Sequence, residues 1–121
     1  MESINNLIII CFMADQKASF YIMVLTSMID HELHKKESEK IIEIANKYKI
    51  EFDPHEAANE IKYHYKDDLN KACNFYMSVV QNTEIQKDTI EFMKEVIYSD
   101  SKIHDKEIEI LEKCKKEWGI D

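Results

Sequence analysis

Apolar residues recur along this chain every third or fourth position, the period of one face of an α-helix. Polar breaks divide the pattern into seven segments. The first is predicted from about Ser3 to Phe12 and the second from Lys17 to Ile29, where Phe20, Ile22, Val24 and Leu25 are dense enough for burial on most sides. The third, Lys35 to Tyr48, places Ile41, Ile44, Ala45 and Tyr48 on one stripe. The fourth opens at Asp53-Pro54-His55-Glu56, with an acid to accept free N–H groups, a proline at the first helical position and a second acid two residues on. Ala57, Ile61 and Tyr65 form its inner face. The fifth, Asp67 to Val80, carries Leu69, Ala72, Cys73, Tyr76 and Val80. Thr83-Glu84-Ile85-Gln86 reads as a capping box opening the sixth, which runs to Tyr98 with Ile85, Thr89, Phe92 and Val96 inward. The seventh, Asp105 to Glu117, has Ile108, Leu111, Cys114 and Trp118 on one side and Gly119 where a left-handed C-terminal cap belongs.

The pattern predicts an all-α fold, a compact bundle of about seven helices in a single domain over residues 1–121. One Gly and one Pro among 121 residues support that class, because sheets and irregular folds need more turn residues. The hydrophobic fraction of 45% is enough to offset chain entropy.

The pattern also repeats. Met23 to Ile50 aligns without a gap on Met93 to Ile120, and both copies contain D-x-x-[LI]-H-x-K-E, as Asp30 to Glu37 and as Asp100 to Glu107. Leu33 falls on Ile103, Ile41 on Leu111 and Tyr48 on Trp118. Each copy sits where an apolar helix meets an amphipathic one, so the bundle is expected to hold two pseudo-symmetric helix–loop–helix repeats that bury each other's stripes.

Two readings of the octapeptide stand side by side. The first needs no ligand: His34 and His104 are N-caps, Leu33 and Ile103 anchor the loops inward, and Glu37 and Glu107, at the third helical position, bond back to the cap amide and meet the helix dipole. The second is a metal site. Asp30 and Glu37 lie seven apart across a bend with His34 between them, and Asp100, His104 and Glu107 repeat the set. Carboxylate with imidazole suits zinc, manganese, iron or nickel, and carboxylates alone suit calcium or magnesium. The segment is no EF-hand loop, since it lacks the glycine at loop position 6 and the glutamate at position 12.

This doubled motif, between an apolar and an amphipathic helix, resembles the tellurite-resistance TerB-like family, whose members show an Ala-Asp-Gly-x-[Ile/Val]-x-x-x-Glu signature twice in an all-helical domain. The resemblance runs from the second segment to the end of the chain. It implies a module of bacteria and their mobile elements concerned with stress, tellurite resistance and phage defence. It also implies divalent-metal binding at Asp30, Glu37, Asp100 and Glu107, and partners among the membrane proteins of the same resistance system. The chain departs from the signature at His31 and Ser101, which stand in place of the glycine, and at Ile29 and Ser99, in place of the alanine. Its loops therefore need a turn of another geometry.

Charge and chemistry narrow the function further. Acidic residues outnumber basic ones, 24 to 16, for a net charge of −8. Such a surface repels nucleic acid and anionic lipid and attracts cationic proteins or divalent metals. A phage- or plasmid-borne inhibitor that masks a basic target, with no metal, is the alternative reading. The apolar run Leu7 to Ala14 is too short to span a bilayer and lacks a basic start, so no membrane insertion and a cytoplasmic location are expected. Cys11, Cys73 and Cys114 are widely spaced and read as buried structural thiols, and His55 and His64 as surface residues. Tyr63, Tyr65, Phe75 and Tyr76 read as core and boundary packing. With no phosphate loop, hydrolase elbow or dinucleotide fingerprint, the chain is expected to be a binding module and not an enzyme.

Overall fold

The computed structural model describes residues 2–28, 33–66, 68–99 and 103–121, with side chains described from Ala14 onward. All regular structure among these residues is helical: α1 (Glu2–Ser27), α2 (Lys35–Lys47), α3 (Pro54–Tyr65), α4 (Leu69–Val79), α5 (Thr83–Ile97) and α6 (Asp105–Trp118). The first two predicted segments are thus one helix of 26 residues, about 39 Å long at 1.5 Å per residue. The apparent break at Ala14-Asp15-Gln16 is no break, because Asp15 does not cap a new helix. Its Oδ2 instead accepts from the backbone N–H groups of Gln81 (3.1 Å) and Asn82 (2.8 Å), and so fastens the α4–α5 loop to the middle of α1.

Helices α1 and α5 form the centre. They pack on each other, and both contact α2 and α6, while α3 lies against α1, α2 and α4, and α4 against α1, α3 and α6. Ile22, Met23, Val24 and Leu25 are completely buried, as the dense apolar stretch predicts. Ile41, Ile61, Ile90, Met93 and Ile97 complete the deepest layer, each worth about 1.5–3 kcal/mol relative to exposure. Where the central helices cross, Ser19 Oγ and Thr89 Oγ1 lie 2.6 Å apart, both buried. Thr89 spends its own proton on the Ile85 carbonyl, so Ser19 is the donor of the pair.

Local signals set the helix ends. Asp53 accepts from the N–H groups of His55 (3.0 Å) and Glu56 (3.3 Å), with Pro54 at the first helical position. Asp68 caps α4 through Lys71 N–H, and Gly119 ends α6 at φ 65°. The expected box at Thr83 is displaced by one residue: Asn82 is the N-cap, accepting from Ile85 N–H at 3.1 Å, and the Gln86 side chain turns to the Val80 carbonyl.

The starts of α2 and α6 coincide at the 70-residue spacing that also separates Ser19 from Thr89, and their ends differ by one residue. His34 and His104 are their N-caps in extended conformation, accepting from Ser38 N–H and Ile108 N–H. At the other end Lys49 (φ 57°) and Gly119 (φ 65°) are both left-handed. Ile50 N–H donates to Ala45 O, and Ile120 N–H to Lys115 O, each at 2.8 Å. Among the described residues no helix is long and apolar enough to cross a membrane.

Candidate functional site

Each loop–helix junction places a glutamate at the third position of its helix and buries it. Glu37 is 3% exposed and Glu107 2%, whereas glutamate is almost never fully buried unless it is partnered. At the second junction the partner is the cap itself: His104 N–H donates to Glu107 Oε1 at 3.2 Å, the return half of the expected capping box. The N-terminal helix charge favours the carboxylate there. His34 and His104 occupy their predicted cap positions, and both residues are exposed. Leu33 packs against the core as expected, but Ile103 is 51% exposed. The two anchors therefore differ in burial, and Tyr98 on the other side of the second motif is exposed as well.

Asp30 and Asp100, with His31 and Ser101, lie outside the described residues. Among the described residues no three His, Cys, Asp or Glu side chains are grouped to hold a metal ion. The donors seen at each junction are one glutamate and one imidazole, so a metal there depends on Asp30 or Asp100 for a further ligand. Among the described residues α2 and α6 do not pack on each other.

A second feature was not legible as a site. Between α1, the end of α2 and the start of α5 lies a cavity of about 330 Å³, walled by Phe20, Tyr48, Ile50, Ile85 and Phe92, with Glu84 and Asp88 at its edge. Gln16, Phe20 and Ile50 also line a neighbouring cavity of about 530 Å³ that reaches Phe52, so the two form one apolar groove. Tyr48 was expected on the buried stripe of α2. It is 47% exposed, its ring 5.4 Å from that of Phe92. The signal that was available is the alignment of Tyr48 with Trp118, two large aromatics at the C-terminal ends of their helices.

The remaining candidates are structural. Tyr21 donates to Glu60 Oε2 and stacks on Tyr76 at 5.1 Å. Burial, reinforced by the Glu60 bond and charge, pushes the Tyr21 hydroxyl well above the ordinary tyrosine range, and burial beside Tyr65 and Glu60 pushes Tyr76 up to about 12. Tyr76 is thus core, as expected, while Tyr63 and Phe75 are 81% and 52% exposed and lie outside it. Cys73 and Cys114 are buried free thiols between α4 and α6. The hydrogen bond between the two thiols, with burial, holds Cys114 well above the usual thiol range, and the same bond holds Cys73 below it. The Cys11 side chain lies outside the described residues. His55 and His64 are exposed.

Comparison with family models, curated proteins and solved structures gives no match to this chain.

Proposed function

We propose that the chain is a TerB-like helical binding module of the stress- and tellurite-resistance type, not an enzyme, built as two helix–loop–helix units about an approximate two-fold axis. Its functional face is the pair of acidic junctions, which take a divalent metal ion, a protein partner, or both. The observation that carries this reading is the burial of Glu37 and Glu107 at equivalent steps of α2 and α6. A buried carboxylate with a second acid seven residues before it in the sequence, Asp30 or Asp100, supplies donors of the kind a hard or borderline divalent cation prefers. The pairing across the centre supports the two-fold: Ser19 meets Thr89, the residue 70 positions on, as residues on an axis do.

The reading without metal, an interaction protein with an acidic binding face, has its own support in Tyr98 and Ile103. These expose 60% and 51% of their surface and flank the second acidic motif in the sequence, apolar area of the kind an interface buries.

Melting curves and calorimetry with manganese, zinc and calcium separate the two. Metal binding predicts a rise in melting temperature of about 10 °C at a hundredfold excess over the dissociation constant. The double variant Asp30→Asn/Asp100→Asn should abolish that rise and leave the metal-free melt unchanged. Absence of heat and of any shift with all three ions removes the metal. A metal-free melt lowered by the double variant assigns the acids to loop and helix capping instead.

A further inference from the structure

We propose that the apolar groove beside Tyr48 receives the C-terminal turn of a partner protein's helix, one carrying lysine or arginine next to its apolar residues. The argument comes from the counterpart of that groove in the other half of the molecule, which is filled. At the 70-residue spacing Tyr48 corresponds to Trp118, Gln16 to Gln86 and Ile50 to Ile120. In the second half Trp118 Nε1 donates to the Met77 carbonyl at 3.4 Å, and Gln86 Nε2 donates to the Val80 carbonyl at 2.8 Å. The last turn of α4 therefore lies on that surface, with Met77 and Val80 buried. Two of the carbonyls that a helix end leaves without partners inside the helix are satisfied there by an indole and a carboxamide.

In the first half the same surface is the groove. Tyr48 offers a hydroxyl where Trp118 offers its N–H, and Gln16 offers the same carboxamide as Gln86. Phe20, Ile85 and Phe92 supply the apolar wall. A helix end with side chains of the Met77 and Val80 type fits this chemistry, and no described residue of this chain fills it.

Charge specifies the rest. The chamber beside Tyr48 is edged by Glu84 and Asp88, whose counterparts in the covered half are Ala14 and Ala18, while Lys17, Lys49 and Glu51 edge the larger chamber. Two exposed carboxylates stand where the internal contact has methyl groups. A neutral or acidic helix end, already negative from its dipole, would be repelled. Basic residues in its last turn meet both the carboxylates and the partner's own helix end.

The probe follows from the internal contact: a synthetic peptide copying residues 69–82, with lysines at the positions that α4 exposes, and a twin with glutamates there. Titrated into the ¹⁵N-labelled full chain, the lysine peptide should shift the amides of Tyr48, Ile50, Asp88 and Phe92. It should bind at least about tenfold more tightly than its twin. The variant Glu84→Lys/Asp88→Lys changes two exposed residues and should reverse that preference, and Tyr48→Ala should weaken both peptides. Equal binding of the two peptides, no binding at millimolar concentration, or shifts centred on Trp118 and Gln86, which would mean displacement of α4, each overturns the proposal.

Discussion

The half made by α1 and α2 and the half made by α5 and α6 close their second helices with the same bonds but are covered by different neighbours. Both cap with a histidine, bury a glutamate one turn in, and end on a left-handed residue followed by an isoleucine. Outside that shared frame α4 lies against α6 and seats its last turn on Trp118, while α3 lies against α2 and leaves Tyr48 at the wall of a groove. The lesson concerns where constraint acts. Positions that set backbone path are shared, because a cap or a left-handed turn tolerates few chemistries. Positions that meet a neighbour differ, because their chemistry answers to whatever covers them. A large aromatic lacking the cover its counterpart has is the place to look for a partner.

The largest test of the shared frame is in the core. Ile41 and Leu111 hold equivalent places on α2 and α6, 0% and 4% exposed. Truncating either to alanine should cost about 3 kcal/mol in urea unfolding, and the two costs should agree within about 1 kcal/mol. A cost below 1 kcal/mol at one site with the full cost at the other would mean that one unit is merely draped on its partner, and the comparison would fail.

A smaller effect probes the crossing of the two halves. Thr89→Val removes the acceptor of the buried Ser19 hydroxyl and should cost about 2 kcal/mol. Adding Ser19→Ala should recover part of that loss, because the orphaned donor is then gone. A double variant no more stable than Thr89→Val alone would show that Ser19 had found another acceptor and that the pair does not join the halves.

How much of this was legible in the sequence depends on the range of each interaction. Asp53, Pro54 and Gly119 were readable as helix ends because a cap acts within three residues. The buried stripes of α2, α5 and α6 were readable because periodicity is local too. Asp15 was not, since it serves amides 66 and 67 residues away while sitting inside a helix. The exposure of Tyr48 and Ile103 was not readable either. A stripe says which side chains suit burial, and only the neighbouring element decides whether burial is delivered. The junction acids were half legible: Glu37 and Glu107 stand where the repeat places them, and Asp30 and Asp100 lie outside the described residues.

A second group-specific effect lies in alkali. The hydroxyl of Tyr76 is raised to about 12 in the fold, and an unfolded tyrosine titrates near 10. Its contribution is complete below pH 10 and is lost as the pH rises through 12, because only the unfolded chain ionises freely in that window. Tyr76 lies on α4, whose last turn is bonded to Trp118, so the loss should show as a change in Trp118 fluorescence near pH 11. Tyr76→Phe should flatten that step. A step unchanged in the variant would assign it to another group, Tyr21 first.

The smallest effect isolates a backbone position where the halves differ in residue and share a left-handed shape. Lys49 and Gly119 share a left-handed φ, 57° and 65°. For a residue with a Cβ that conformation costs about 1–2 kcal/mol, and glycine escapes it. Space is not the difference, for a Cβ built on Gly119 meets nothing within 4 Å. Gly119→Lys should therefore destabilise by about 1 kcal/mol from backbone strain alone. Lys49→Gly should stabilise by somewhat less, since glycine loses more freedom on folding and offsets part of the relief. Opposite signs of similar size, read from chemical denaturation, would show that both turns obey one geometry. If Lys49→Gly destabilised instead, the Lys49 side chain, which borders the groove's larger chamber, would have to hold that turn through contacts of its own.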